Sequence, residues 1–206
     1  MRVYLDDTEI QIEHETLASA ISAGTAASEA KGRIIVEVWA DGAPAPDEDL
    51  ATPPDASPYA EEIKLISAEP KALVRTVLLD VSDALTGTRD TQREAADHLQ
   101  TGETGPALHR LGEALQTWET VRRAVDEGCA LLDLPTTGDG AAGLDGALVN
   151  DLADKLTALR DALGREDWSV LSDLLAYDLD EHVDRWQAEL QRLAAHIAHD
   201  PTEATS

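Results

Sequence analysis

The sequence predicts an α+β protein with a small mixed domain, strand–strand–helix–strand–strand, over residues 1–69 and an antiparallel four-helix bundle over residues 70–200. Two observations carry this reading. The hydrophobic period is two in the first part and about 3.6 after Glu69. Turn signals bound every segment of the first part, whereas the second is punctuated only at Thr101–Pro106, Pro135–Gly143 and Gly164.

Val3, Leu5, Ile10 and Ile12 alternate with polar neighbours around Asp6-Asp7, the pattern of a hairpin with one buried face. Thr16 offers an N-cap to a short helix from Leu17 to about Ala30, stopped by Lys31-Gly32. Arg33–Trp39 is the strongest strand of the chain, and Asp41-Gly42 turns it. Residues 43–58, rich in proline, alanine and aspartate, read as an irregular loop. Ile63 and Leu65 mark a last strand. On regular alternation Val3, Leu5, Ile34, Val36, Val38, Ile63 and Leu65 face the small helix. Tyr4, Ile35, Trp39 and Ile66 then point the other way and form an apolar patch, which is the candidate partner-binding surface. It either docks on the protein's own bundle or receives a foreign partner.

In the second part Pro70 suits a first helical turn, and Leu73, Val74, Val77, Leu78, Val81 and Leu85 follow at helical spacing; Gly87 is a weak point, but the pattern continues to Leu99. Leu108, Leu111, Leu115, Trp118, Arg122, Val125, Cys129 and Leu132 form a 3,4,3,4 seam with one polar interruption, Arg122. A third helix carries Leu144, Leu148, Leu152, Leu156, Leu159 and Leu163. Asp167 caps a fourth, whose face from Trp168 to Ile197 includes His182. Residues 201–206 read as a disordered tail. A charge in an apolar seam must be paired or reach water. Asp178 is the expected partner of Arg122, so Arg122, Asp178 and His182 are the candidate structural polar core.

The formal net charge is −25, spread as −11 over residues 1–69 and −14 over residues 70–206. Such a surface repels phosphate backbones and anionic lipid, so neither nucleic acid nor membrane is expected as a partner; the charge reads first as a solvated surface and second as a match for a basic protein. An isologous dimer is a further way to cover exposed helix faces. One cysteine, Cys129, excludes an internal disulfide, and it reads as a buried, inert thiol. No basic segment leads into an apolar one at the N-terminus, so no signal peptide is expected and a cytoplasmic location is.

No motif points to catalysis. Gly138, Gly140 and Gly143 match G-x-G-x-x-G, but no strand feeds them, and a flexible linker is the reading. Asp178 and His182 stand four apart and could face one metal, yet Glu-x-x-His and His-Glu-x-x-His occur nowhere. No catalytic residue, metal or cofactor is expected.

The strands opening at Met1–Leu5, the helix from Thr16, the strand ending in Ala40-Asp41-Gly42 and the closing Glu62–Ile66 fall in the order of a β-grasp domain, so residues 1–68 resemble the ubiquitin-like fold. The resemblance departs at the end. Ser67-Ala68-Glu69-Pro70 leads into a helix, not a free Gly-Gly tail, and this excludes conjugation and sulfur-carrier roles. What the resemblance leaves is an adapter that binds through its sheet. The sequence therefore reads as a non-enzymatic interaction module, adapter or assembly factor. The alternatives are an export or folding chaperone, since small acidic bundles resemble those of flagellar and secretion systems, and a bundle metalloenzyme.

Overall fold

A computed structural model describes residues 1–138 and 143–199. The architecture is α+β, a five-stranded mixed sheet near the N-terminus followed by helices. The chain divides into two compact units, Met1–Leu73 and Val74–Ser206.

In the first unit the chain order is β1 (Arg2–Leu5), β2 (Thr8–Ile10), α1 (Leu17–Glu29), β3 (Ile34–Ala40), β4 (Ala43–Pro44), α2 (Asp47–Ala51) and β5 (Glu62–Ala68). Across the sheet the order is β2-β1-β5-β3-β4, with β1 and β5 parallel and the other pairs antiparallel. The turns are made by the residues that the sequence marks. Asp6 and Asp7 (φ 47° and 64°) and Asp41 and Gly42 (φ 50° and 83°) take the left-handed conformations of tight hairpins. Thr16 caps α1 by accepting from the Ser19 amide at 3.2 Å.

Asp6 also ties the sheet to itself, because its carboxylate accepts from the Ser67 amide at 2.8 Å and hydroxyl at 2.6 Å. These bonds hold the Asp6 carboxyl below the usual carboxylate range. The core of the unit is Val3, Leu5, Leu17, Ala20, Ile63 and Leu65. Gly24 lets α1 lie close on β5, since a Cβ there would run into Leu65 Cδ1.

Residues 43–58 are less irregular than expected. They contain β4 and the short α2, which opens after Pro46 with Asp47, Glu48 and Asp49 in its first turn. Three carboxylates at a helix start complement its dipole. Tyr59 donates to Asp49 at 2.6 Å, and its phenol pKa is raised to about 12 by that bond.

The second unit is built from α3 (Pro70–Gln100, from Val74 on), α4 (Thr104–Leu131), α5 (Gly146–Gly164), α6 (Trp168–Asp173) and α7 (Leu179–His199). Their contacts give the directions. Val74 meets Gly128 while Glu94 meets Arg110, so α3 and α4 are antiparallel. Ser82 meets Gln187 while Arg93 meets Asp180, so α3 and α7 are too. Asp151 meets Arg185 while Lys155 meets Asp178, which sets α5 against the α7 rod. One apolar cluster runs through all of them, including Leu78, Leu85, Trp118, Leu171, Leu175 and Leu190.

Gly87 does not interrupt α3, which runs on past Leu99 as the pattern reads, because the apolar stripe on either side of it (Leu78, Leu85, Ala95, Leu99) is buried and outweighs a glycine cost of ~1 kcal/mol. The second unit departs from the sequence reading in its last rod, which is not one α-helix. A π-helical turn, Leu174–Asp178, separates α6 from α7. Residues 139–142, which hold most of the glycine-rich loop, and the tail from residue 200 lie outside the described residues.

Candidate functional site

The outer face of the sheet is set by its register. Glu9, Tyr4, Lys64, Trp39 and Pro44 stand in one row across β2, β1, β5, β3 and β4. Ile66 stands beside Glu37 in a neighbouring row and is 41% exposed. Tyr4, Trp39 and Ile66 thus share the face away from α1, as expected. They do not form an unbroken apolar surface. Lys64 lies between Tyr4 and Trp39 and sits 3.6 Å from Glu62. Trp39 donates its indole N–H to Glu37 at 2.7 Å. The face is a set of aromatic and aliphatic groups separated by charges.

Ile35 is a correction. Its side chain packs on the inner core, close enough to α1 that a Cβ on Gly24 would meet Ile35 Cδ1 at 3.0 Å. The cause is a β-bulge. Ile35 is paired with Ser67 and Glu37 with Ile66, so Val36 is an extra residue in β3. One inserted residue reverses the facing of everything before it. Val36, expected inside, is 39% exposed.

The polar core also differs from expectation. Arg122 is not in the seam. Its side chain is 66% exposed and pairs with Asp126, one turn on, at 2.7 Å. The buried seam of α4 is Ala107, Leu111, Ala114, Trp118, Val121, Val125 and Gly128. With Cys129, also buried, it shares Leu111, Trp118 and Val125 with the expected seam, but it takes the small residues on the other side of them. Asp178 pairs instead with Lys155 of α5. That bond holds the Lys155 ammonium above its ordinary pKa.

His182 is where a buried polar group was expected, 2% exposed in the bundle. Its Nε2 lies 3.2 Å from Asp151 Oδ2, and Asp151 also accepts from Arg185 at 2.8 Å. Burial pushes the His182 pKa down, against the pull of Asp151, and the Arg185 bond chiefly lowers the Asp151 pKa. His182 Nδ1, both amide atoms of Gln92 and the indole nitrogens of Trp118 and Trp186 are buried without a hydrogen-bond partner among the described residues. The two tryptophans meet edge to face at 5.8 Å. Sequence reasoning missed Asp151, Lys155 and Arg185. Asp151 and Lys155 stand four apart on α5, but nothing local names their partners on the α7 rod.

Cys129 is buried and free, and burial raises its pKa, the opposite of an activated thiol. Among the described residues no three His, Cys, Asp or Glu side chains gather as a metal site, and no helix is long and apolar enough to cross a membrane. No family model, curated protein or solved structure matches the chain.

Proposed function

We propose that the chain is a non-enzymatic protein-interaction module, an adapter or assembly factor, that receives a partner protein on the outer face of its sheet. One observation supports the reading. Tyr4, Trp39 and Ile66 present large side chains on a face opposite the one that α1 covers, and Val36 beside them in β3 is exposed. Tyrosine and tryptophan are rigid, amphipathic anchors of the kind that dominate binding energy at interfaces. The charges among them are mixed: Glu9, Glu37 and Glu62 share the rows with Lys64 and Arg2, and Glu62 pairs with both. The partner that fits is a protein with an apolar centre and a polar rim of both signs. The overall charge of −25 favours a basic surface further out, and argues against nucleic acid or an anionic membrane. A free, buried Cys129 suits a reducing compartment such as the cytoplasm.

Affinity capture from native lysate with wild type, Tyr4→Asp and Trp39→Asp tests this. The expected result is a protein recovered with wild type and lost with both variants, while circular dichroism of the variants is unchanged. Equal recovery by all three folded chains removes the outer face as a docking site.

A further inference from the structure

A second surface of the same unit lies on the side where the sheet meets α1. An open groove of about 370 Å³ runs between α1 and β3 and is lined by Ile21, Thr25, Ser28, Ile35, Val38 and Leu50. Three properties of this groove point to one kind of occupant.

The first is the strand that borders it. β4 pairs only with Trp39 and Ala40, so among the described residues Ile34–Glu37 has β5 on one side and no strand on the other. An edge of this sort is a template for main-chain hydrogen bonds with another extended chain. The bulge shapes what such a chain would meet. It turns Val36 and Glu37 to the outer face and Ile35 into the groove, so the apolar side of the edge is the groove side.

The second is Ser28. It is 1% exposed, it lines the groove, and its hydroxyl has no partner among the described residues. A buried hydroxyl left unmatched costs about 1–3 kcal/mol, and an incoming polar group at this wall would recover part of that.

The third is charge. Glu29 lines the groove and is exposed, and the α2 end, marked by Leu50, carries exposed Asp47 and Glu48. Arg33 also lines it, but its guanidinium already donates to the Ser67 hydroxyl and carbonyl and lies 3.7 Å from Asp6.

We propose that this groove binds an extended peptide segment of a partner protein, laid along the free edge of β3, with alternate β-branched side chains in the groove and lysine or arginine on the flank nearest α2. The site rests on reading the unit as an interaction module, but it uses residues that the outer face does not. Alternate side chains of an added strand point the same way, so every second residue of the segment reaches Ile35, Val38 and Leu50. Backbone pairing supplies affinity for any extended chain. The acidic end selects the basic one.

The test uses the full chain, labelled with ¹⁵N, and a fluorescein-tagged nine-residue peptide of two lysines followed by alternating valine and threonine. Saturable binding is expected, with amide shifts confined to Ser28, Ile34–Val38 and α2. Glutamate in place of both lysines should weaken binding about tenfold or more. N-methylation of alternate peptide amides should abolish it. Thr25→Arg, which fills the groove from α1, should lose binding about tenfold or more at an unchanged melting temperature. If Thr25→Arg does not fold, Leu50→Lys on α2 serves in its place.

Absence of saturable binding overturns the proposal, as does binding indifferent to N-methylation. Shifts at Tyr4, Lys64 and Ile66 also overturn it, while leaving the outer-face reading standing. Loss of partner capture by Trp39→Asp with peptide binding intact separates the two surfaces.

Discussion

The two units use their polar side chains differently. In the sheet unit most of them bind main-chain groups across turns and strand ends. Ser67 takes the Asp6 carboxylate and the Arg33 guanidinium, and Asp41 accepts from the Glu61 and Glu62 amides at 3.0 and 2.9 Å; the Ser28 hydroxyl is the exception. In the helical unit the buried hydroxyls of Ser82, Thr88 and Ser172 are bonded, but Gln92, His182 Nδ1 and the indoles of Trp118 and Trp186 have no partner among the described residues, while the charged pairs ring the outside. The difference follows from the backbone. A sheet leaves turns and strand ends with unmatched main-chain groups, and side chains must satisfy them. A helix satisfies its interior by itself, so the bundle's side chains set only packing and register, and a large apolar cluster can carry a few unmatched atoms. Register in the sheet is therefore held by specific bonds, and register in the bundle by shape.

The sharpest way to break this comparison is at the bulge. Ile35→Asp places a carboxylate against Leu65 and α1, and should cost ~4 kcal/mol or more, enough to unfold the sheet unit. Val36→Asp, one residue away and exposed, should change stability by less than about 1 kcal/mol. Urea denaturation followed by circular dichroism measures both. Equal costs would mean that β3 has no extra residue.

Next in size is the tie at Ser67. Asp6→Ala removes two hydrogen bonds to a charged acceptor, and because Asp6 is partly exposed the expected loss is about 1–2 kcal/mol. The bundle should respond with the opposite sign. Gln92→Met keeps the volume and deletes both unmatched amide atoms, so it should raise stability by ~1 kcal/mol. A loss in place of that gain would show that Gln92 holds something in the core.

His182 sharpens the contrast through pH. Its folded pKa lies below the ordinary 6.5, with burial the main cause. The unfolded chain then takes up the proton first as pH falls. The stability that neutral His182 contributes is complete above about pH 6.5 and declines as pH drops below it toward the folded value. His182→Gln should flatten the melting temperature between pH 7 and pH 5. A wild-type protein that melts higher at pH 5 than at pH 7, in a manner removed by the substitution, would mean that Asp151 outweighs burial.

The sequence showed some of this plainly and hid the rest for physical reasons. Thr16, Asp41-Gly42, Pro70 and Asp167 act through neighbours a few residues away, so their caps and turns were legible. The strand Ile34–Val38 was legible as a strand, but it is apolar on both parities. Only its pairing with β5 chooses which side is buried, and that pairing inserted Val36. The outer-face residues on β1 and β5, whose alternation is clean, came out as expected, and Ile35 on β3 did not. In α4 two seams share Leu111, Trp118, Val125 and Cys129. The packed one runs past Ala107, Ala114 and Gly128, where a Cβ on Gly128 would lie 2.8 Å from Val74 Cγ1. Close approach by a helix distant in sequence decided between them, and no local signal reports that.

The smallest expected effect tests that last choice. Arg122 interrupts the seam of leucines but lies outside the packed one, paired with Asp126 one turn on. An exposed pair of this type is worth a few tenths of a kcal/mol. Arg122→Leu should therefore shift stability by no more than about 0.5 kcal/mol and leave the oligomeric state, read by light scattering, unchanged. Val121→Arg, the neighbouring position, is 1% exposed and should be severe by comparison. The two substitutions differ by one residue and about 100° of helix rotation. If Arg122→Leu were the damaging one, α4 would face the bundle with its leucine seam after all, and the small-residue contact between Gly128 and Val74 would have to open.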